Sequence, residues 1–534
     1  MTGQRNHNLP ALVILITVLL PLSPWAAAPG IVLPEPFALE LPPGVATLGA
    51  EDEAMRQLTA TVRADGHRVT MILPRDRVGP GIWRVILAAW GTAPRDPPAA
   101  RREAALYVLP HGMVPIGLSG STNATAGNNT THIARDASGF VHMVWGDSGR
   151  SLSEGALYRR ARVLPDGSVS LDTDILDLAP HKGNWTAVPS LTSVGNTVHF
   201  TWQADGTARY RSLTREGEAW RWSDEIDTRA PSPGRDTGAS IAADARGVHI
   251  LTPGGVYTAS GDGGRTWITE TVPFGTVHRV KTASLGLDSM GRPLASASVI
   301  VKDAPHYSEQ KGSGGYWTIR LARRIGAGAW ETLPGPVDGR REWAASTDAS
   351  EDVLSDWVRV LEDRTGGMHA TWHGTAVSRI YGNDRGYYAW RPPGGDWQAP
   401  VSLREPDLSR GSGWSYAPGL TLDGDRALPL VFHSTRVGQR EVGFDSELGS
   451  FRAGRRTALP LPVTRFAHAS LLTGKPANAL STWFPGAASA LTRTADGRVW
   501  IDVLMTLVPT GIAAPGLVVW RRMDVTEWLK GAEQ

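Results

Sequence analysis

Hydrophobic and polar residues alternate in short runs along most of the chain, and the runs stop at glycine turns or at aromatic residues. An alternation with a period of two predicts half-buried β-strands. Two segments, from His132 to Trp145 and from Pro189 to Trp202, stand almost in register with each other. Each gives a strand, a glycine turn and a second strand that ends in tryptophan, and a third and a fourth strand are predicted to follow.

The same unit recurs about every fifty residues after residue 115. Its copies begin at His132, Pro189, Ala239, Ala283, Trp357, Pro418 and Ala469. Aromatic or apolar markers of the third strands are Tyr158, Tyr210, Tyr257, Trp317, Tyr388, Phe444 and Leu491, and those of the turns and fourth strands that follow include Trp220, Trp267, Trp330, Trp397, Phe451 and Trp500. Four short strands at this period are typical of a β-propeller blade. The sequence therefore predicts an all-β fold, with a β-propeller of four-stranded blades over residues 115–510; seven blades are preferred and six are the alternative.

The two ends of the chain lie outside the repeat. A basic residue, an apolar run to Leu22 and the small residues at 26–28 indicate a signal peptide over residues 1–28, with an uncleaved membrane anchor as the alternative. Residues 29–114 are predicted to form a small β-sandwich-like domain, whose last strand could instead close the propeller ring. Residues 511–534 form a C-terminal tail with a strand and a short helix. We expect a secreted or periplasmic protein with no membrane span after signal cleavage.

Composition narrows the classes of function. The chain has 534 residues, 21 Trp, no Cys and a formal net charge of +2. Without Cys there are no disulfides, thiolate metal sites or Cys nucleophiles. Because no polybasic block occurs, nucleic acid is not an expected partner. A histidine recurs in the second strand of separate copies, as His142, His199 and His369, and its equivalent places predict a structural role. We expect no cofactor and no metal, and a monomer.

One hairpin carries a family motif. The segment from Ser260 to Trp267 reads Ser-Gly-Asp-Gly-Gly-Arg-Thr-Trp and matches the Asp-box, Ser-x-Asp-x-Gly-x-Thr-Trp. The chain thereby resembles the Asp-box (BNR-repeat) sialidase-like β-propeller superfamily. In this spacing the carboxylate of Asp262 can accept backbone N–H groups of the turn, Gly264 can adopt a positive φ, and Trp267 can plug the blade core.

The resemblance implies a site in the central depression, where loops enter the innermost strand of each blade. At those positions the candidate catalytic residues are Tyr416 as nucleophile, Asp356 as acid/base and His132. The candidate substrate-binding residues are Arg235, Asp236, Arg279, Arg359, Arg465, Trp185, Trp414, His373 and His433. Arginine forks bind carboxylates at two points, and indole rings stack on sugars. The expected partner is therefore a glycan or polysaccharide, and an anionic one.

Three functions remain open at this point. The first is a secreted carbohydrate-active enzyme, a glycoside hydrolase of sialidase-like type. The second is a uronate-cleaving polysaccharide lyase, because His132 resembles the histidine of propeller lyases. The third is a glycan-binding or scaffold propeller without catalysis, since a fold does not fix a function.

Overall fold

A computed structural model of the chain describes part of its length. The described residues are 12–13, 30–32, 47–52, 57–62, 69–71, 81–89, 100–109, 113–119, 124–125, 131–147, 155–164, 169–178, 189–232, 238–275, 277–301, 316–337, 355–375, 384–403, 415–423, 428–436, 444–452, 455–457, 460–463, 480–481, 491–494, 496–509 and 516–533. Most of them lie in β-strands.

The strands before residue 110 pair with one another in a single sheet. They are β1 (Leu12–Val13), β2 (Gly30–Val32), β3 (Thr47–Asp52), β4 (Gln57–Val62), β5 (Val69–Met71), β6 (Gly81–Ala89) and β7 (Ala100–Leu109). The order across the sheet is β1-β7-β6-β3-β4-β5, and β2 also pairs with β7. Val62 of β4 pairs with Val69 of β5 in antiparallel orientation, as the alternation of apolar and polar residues on either side of Gly66 suggests.

Seven further sheets follow, of which six are built from consecutive strands. Blade 1 has β9 (Ile133–Arg135), β10 (Phe140–Asp147), β11 (Gly155–Val163), β12 (Val169–Leu171) and β13 (Leu176–Asp177). Blade 2 has β14 (Ser190–Val194), β15 (Thr197–Ala204), β16 (Thr207–Glu216), β17 (Ala219–Trp222) and β18 (Ile226–Pro231). Blade 3 has β19 (Ser240–Asp244), β20 (Gly247–Leu251), β21 (Val256–Ser260) and β22 (Ile268–Thr271).

The next three blades repeat the pattern. Blade 4 has β23 (Val277–Leu287), β24 (Pro293–Val301), β25 (Tyr316–Gly326) and β26 (Ala329–Leu333). Blade 5 has β27 (Ser355–Glu362), β28 (Met368–Thr375), β29 (Asp384–Arg391) and β30 (Val401–Ser402). Blade 6 has β31 (Ser415–Asp423), β32 (Leu428–Arg436), β33 (Phe444–Arg452), β34 (Arg455–Arg456) and β35 (Leu461–Pro462).

Blade 7 takes strands from both ends of the repeat region. Its strands are β8 (Met113–Ser119), β36 (Leu480–Ser481), β37 (Thr492–Arg493), β38 (Val499–Pro509) and β39 (Gly516–Asp524), in the order β36-β38-β39-β8, with β37 also pairing β38. The single described helix, α1 (Thr526–Glu533), follows. Because β8 pairs with β39 across the two ends of the chain, pairing of Val114 with Trp520 closes the ring.

The inner strands of blades 1 to 6 contact one another in turn, and blade 7 contacts blade 1 through β38. The structure thus confirms the predicted all-β propeller and the preferred number of seven blades. Three strand assignments are wrong: Phe451 lies on β33, the third strand of blade 6; Leu491 adjoins β37 and not the third strand, β39; and Trp500 lies on the second strand of blade 7, not on the fourth. Residues 499–507 read locally like any apolar strand, and only pairing with distant partners shows that β38 is central and that β8 supplies the outer strand.

The recurrent histidine holds strands together, as predicted. In four blades its Nδ1 atom is hydrogen-bonded to the hydroxyl of a third-strand tyrosine, at 2.7–2.9 Å; the pairs are His142–Tyr158, His199–Tyr210, His249–Tyr257 and His369–Tyr388. The ring of Tyr210 packs edge-on against Trp267 of the following blade, and that of Tyr257 against Trp330, at 5.1 Å in each case. The ring of Tyr388 instead stacks on Phe451 of the following blade at 4.2 Å. These aromatic contacts between neighbouring blades account for much of the tryptophan excess.

Five tryptophans of the repeat fall into two groups by their exposure. Trp145, Trp202 and Trp372 are buried, whereas Trp267 and Trp397 remain partly exposed. The last two follow hairpins at the blade edge, where solvent reaches one side of the ring.

The Asp262 hairpin has the geometry that the motif predicts. Its Oδ1 accepts hydrogen bonds from the N–H groups of Arg265 and Thr266, at 2.9 Å each, and its Oδ2 accepts one from the Thr266 hydroxyl at 2.7 Å. The hydrogen bond from the Thr266 side chain is the main reason why the pKa of Asp262 lies well below its usual range. Gly264 has φ +96°, and Trp267 Nε1 donates to its carbonyl.

Candidate functional site

The inner strands of blades 5 and 6 are irregular near the end at which they begin. In blade 5, Asp356 pairs with His373 and Arg359 with Thr371, so β27 carries one extra residue between these pairs. The corresponding shift in blade 6 follows Tyr416. Such β-bulges bend a strand, redirect its side chains and are frequent beside active sites.

Blade 4 is irregular at the same end of its inner strand. The register of β23 shifts after Val277 and again after Val280, and Arg279 lies between the two shifts. Three predicted site residues, Arg279, Asp356 and Tyr416, therefore occupy the irregular starts of three consecutive inner strands. For these three residues the structure describes the backbone only.

Arg359 reaches across the centre of the ring. Its Nη2 atom donates a hydrogen bond to Thr131 Oγ1 at 3.1 Å, although the two residues belong to blades 5 and 1. Blades 6 and 7 separate these blades on the shorter side of the ring, so a direct contact between their inner strands must cross the central channel. Arg359 and Thr131 together form what we call the channel floor.

Three other blades place a serine at the level of Arg359. Arg359 pairs with the second-strand residue that lies two positions after the recurrent histidine. The inner-strand residues at the same register position in blades 2, 3 and 4 are Ser190, Ser240 and Ser284. Ser190 Oγ accepts the N–H of Thr131 at 3.2 Å, and Ser240 Oγ accepts an inner-strand N–H of blade 4 at 3.0 Å. Side chains at this level thus contact inner strands of other blades, which places them around the channel.

The channel floor carries a positive charge. Burial lowers the pKa of Arg359 to about 10, because desolvation disfavours the charged form. This value still leaves the guanidinium protonated at neutral pH. A partly buried cation beside a channel attracts anions more strongly than a fully hydrated one.

Two rings stand beside the floor. The indole of Trp357 stacks on the imidazole of His373, with ring centres 5.4 Å apart and planes 20° from parallel. Trp357 is partly exposed, whereas His373 is buried. Trp357 begins the fifth copy of the repeat. No local sequence signal distinguishes it from other tryptophans of the repeat, because its position beside His373 depends on the bulge in β27.

His433 occupies a position at which other blades have a tryptophan. By register it corresponds to Trp202 and Trp372, and it is fully buried. Its direct cross-strand partner is Glu447, which shares its face of the sheet. A carboxylate beside an imidazole can hold or move a proton, and Glu447 could be found only from this register.

The remaining predicted site residues fall into two sets. His132 is fully buried at the start of the inner strand of blade 1, and its carbonyl accepts the N–H of Val144 at 2.9 Å. Five predicted residues lie outside the described residues, namely Arg235, Asp236, Arg465, Trp185 and Trp414.

Within the described ranges, no group of three or more His, Asp or Glu side chains is arranged to hold a metal ion. Among the same residues, no helix has the length and apolar character needed to cross a membrane.

No family model matches the sequence, and no curated protein matches it. Among solved structures, the chain is similar to a protein of unknown function from Dyadobacter fermentans, with 10% identity, a TM-score of 0.41, and coverage of 78% of this chain and 99% of that one. It is also similar to an α-L-arabinanase from Penicillium chrysogenum complexed with arabinobiose (13% identity, TM-score 0.39, 78% of this chain and 98% of that one). A third is an α-L-arabinofuranosidase from Fusarium graminearum complexed with an iminosugar inhibitor (12% identity, TM-score 0.38, 78% and 99%). The assignment of this chain to the β-propellers rests on its own strand pairing.

Proposed function

We propose that the central depression binds anionic glycans and that the protein is a carbohydrate-active enzyme, a glycoside hydrolase of sialidase-like type. The observation that carries the proposal is the protonated guanidinium of Arg359 at the channel floor, two residues from the stacked ring of Trp357. A cation beside an aromatic face suits a sugar that carries a carboxylate.

The backbone positions of Asp356 and Tyr416 support the hydrolase. Both residues begin a bulge at the same register position, in the inner strands of neighbouring blades. In a retaining mechanism, Tyr416 would first lose its phenol proton to solvent; its phenolate oxygen would then attack the anomeric carbon while Asp356 protonates the departing glycosidic oxygen. A water molecule would next attack the anomeric carbon, give its proton to the Asp356 carboxylate and release Tyr416 as the phenolate.

The structure gives less support to the lyase alternative. The catalytic base of a lyase must reach the proton on the carbon next to the substrate carboxylate. Its access to the substrate therefore has to be judged before its pKa. His132, the residue that the lyase reading requires, is fully buried. We therefore favour the hydrolase, and the lyase becomes one outcome of the test.

The test is incubation of the purified protein with sialylated glycans and uronic-acid polysaccharides, with both free sialic acid and unsaturated uronate as readouts. We expect free sialic acid, and we expect Tyr416→Phe to abolish its release while leaving glycan binding intact. Unsaturated uronate that disappears in His132→Ala would instead establish the lyase. Binding without either product would leave a non-catalytic glycan-binding protein.

The contribution of the floor is tested with Arg359→Gln. Loss of a charged hydrogen-bonding group should weaken binding of an anionic glycan roughly 10- to 100-fold. A matched control is Arg364→Gln, because Arg364 lies exposed in the turn at the opposite end of the same inner strand. Equal affinities of both variants and the wild type would refute the role of Arg359.

A further inference from the structure

Trp357 has an unusual backbone conformation. Its φ is +48°, in the left-handed region that bulky residues rarely adopt. Among the described residues, the other non-glycine residues with positive φ are Asp205 and Arg229, and both are exposed. Trp357 instead lies within an inner strand, where a left-handed aromatic residue persists only if its surroundings hold it there.

The neighbours of Trp357 show that burial does not explain this conformation. Val358 and Trp372, which flank the bulge on the two paired strands, are buried almost completely. Trp357 keeps part of its surface exposed, and its ring is fixed against His373. The bulge therefore keeps the indole partly exposed beside His373 instead of adding it to the blade core.

We propose that Trp357, supported from behind by His373, is a stacking subsite for a pyranose ring in the wall of the depression. The apolar C–H face of a pyranose packs on the electron-rich face of an indole, and this contact does not depend on the charge of the sugar. The inference rests on the proposed glycan function and deepens it: Arg359 selects the charge and Trp357 selects the ring.

The backbone of Trp357 makes a sharp test possible. Glycine adopts a φ of +48° without a steric penalty, and asparagine tolerates the left-handed region well. We therefore expect Trp357→Gly and Trp357→Asn to keep the urea midpoint of the wild type or to raise it. Both variants should nevertheless lose affinity for glycans, about tenfold, and Trp357→Phe should retain part of it.

Binding is measured by titration calorimetry on the full chain with sialyllactose, trigalacturonate and the neutral galactotriose. Trp357→Gly should weaken the binding of charged and neutral probes by the same factor, whereas Arg359→Gln should weaken the binding of the charged probes alone. The matched control is Trp397→Gly, which removes a partly exposed tryptophan of the same blade near the outer hairpin. This control should leave affinity unchanged.

Each outcome decides the inference. If the wild type binds a probe and Trp357→Gly binds it equally well, the stacking subsite is refuted while the glycan function stands. If the glycine and asparagine variants both lose stability, Trp357 is a packing residue and the inference is wrong. If the wild type binds none of the three probes, the proposed function fails and the subsite fails with it.

Discussion

Replacing Gly264 by alanine separates two reasons for a glycine in the Asp262 hairpin. The first reason is conformational, because Gly264 has φ +96°. The second is steric, because an added Cβ would lie 2.6 Å from Cε1 and 3.2 Å from Cδ1 of Tyr210 in the preceding blade. The ring of Tyr210 is fully buried and its hydroxyl is hydrogen-bonded to His199 at 2.8 Å, so it has little room to move.

The adjacent residue Gly263 provides the matched control. It also has a positive φ, +76°, but an added Cβ would meet nothing within 4 Å. An alanine forced to positive φ costs about 1–2 kcal/mol. Overpacking a close-packed site costs about 1–3 kcal/mol more. We therefore expect Gly263→Ala to lower the free energy of unfolding by about 1–2 kcal/mol and Gly264→Ala by about 3–4 kcal/mol.

The assay is urea denaturation of the purified protein at neutral pH, followed by tryptophan fluorescence, with the m-value compared between variants. The difference between the two alanine variants isolates the contact with Tyr210. If both variants lose the same free energy, the close approach of the hairpin to the preceding blade contributes nothing. A milder effect of Gly264→Ala than of Gly263→Ala would also refute the steric reasoning.

Two further predictions concern the blade contacts. Burial lowers the pKa of His199 and of His249 to about 4, from 6.5. Below pH 6.5 the unfolded chain therefore binds more protons than the folded protein. The free energy of unfolding is highest above that pH and falls as the pH drops towards about 4; at pH 5 the loss is about 2 kcal/mol per histidine. Urea midpoints between pH 7 and pH 5 should show this slope, and His249→Asn should reduce it; a flat profile would contradict the prediction. The second is that Asp502→Asn destabilises ring closure by about 3 kcal/mol, because the buried carboxylate accepts hydrogen bonds from Arg135 of blade 1 and from Trp520. Urea unfolding checks it, and additivity with Arg135→Gln would show that the pair does not couple.

The repeat was predictable from sequence because its signals are local. Alternation, glycine turns and aromatic residues give the strands of each blade, and Tyr158 and Tyr388 lie on third strands as predicted. Ring closure was harder to predict from the sequence, since the pairing of β8 with β39 joins residues about four hundred positions apart. The wrong placement of Trp500 follows from this, because a local pattern does not tell a second strand from a fourth.

The candidate site was predicted by position and only partly by chemistry. The resemblance to the sialidase-like superfamily pointed to Arg359, His373 and His433 by their positions in the repeat. In the structure, Arg359 lies on the inner strand of blade 5, and His373 and His433 lie on the second strands of blades 5 and 6. It did not select Trp357 or Glu447. The first depends on a bulge and a positive φ, and the second on cross-strand register, and neither leaves a mark in a short window of sequence.

Differences between the blades indicate where a unique function can lie. The histidine–tyrosine pairs and the buried tryptophans occur in several blades, so they hold the ring together and cannot define a single site. At the level where blades 2, 3 and 4 carry serines, blade 5 carries Arg359; at the level where blades 1, 2 and 5 carry tryptophan, blade 6 carries His433. The left-handed Trp357 belongs to the same sector. These residues distinguish blades 5 and 6 from the blades that carry the repeated residues, and they support the ligand site that we propose on this side of the channel.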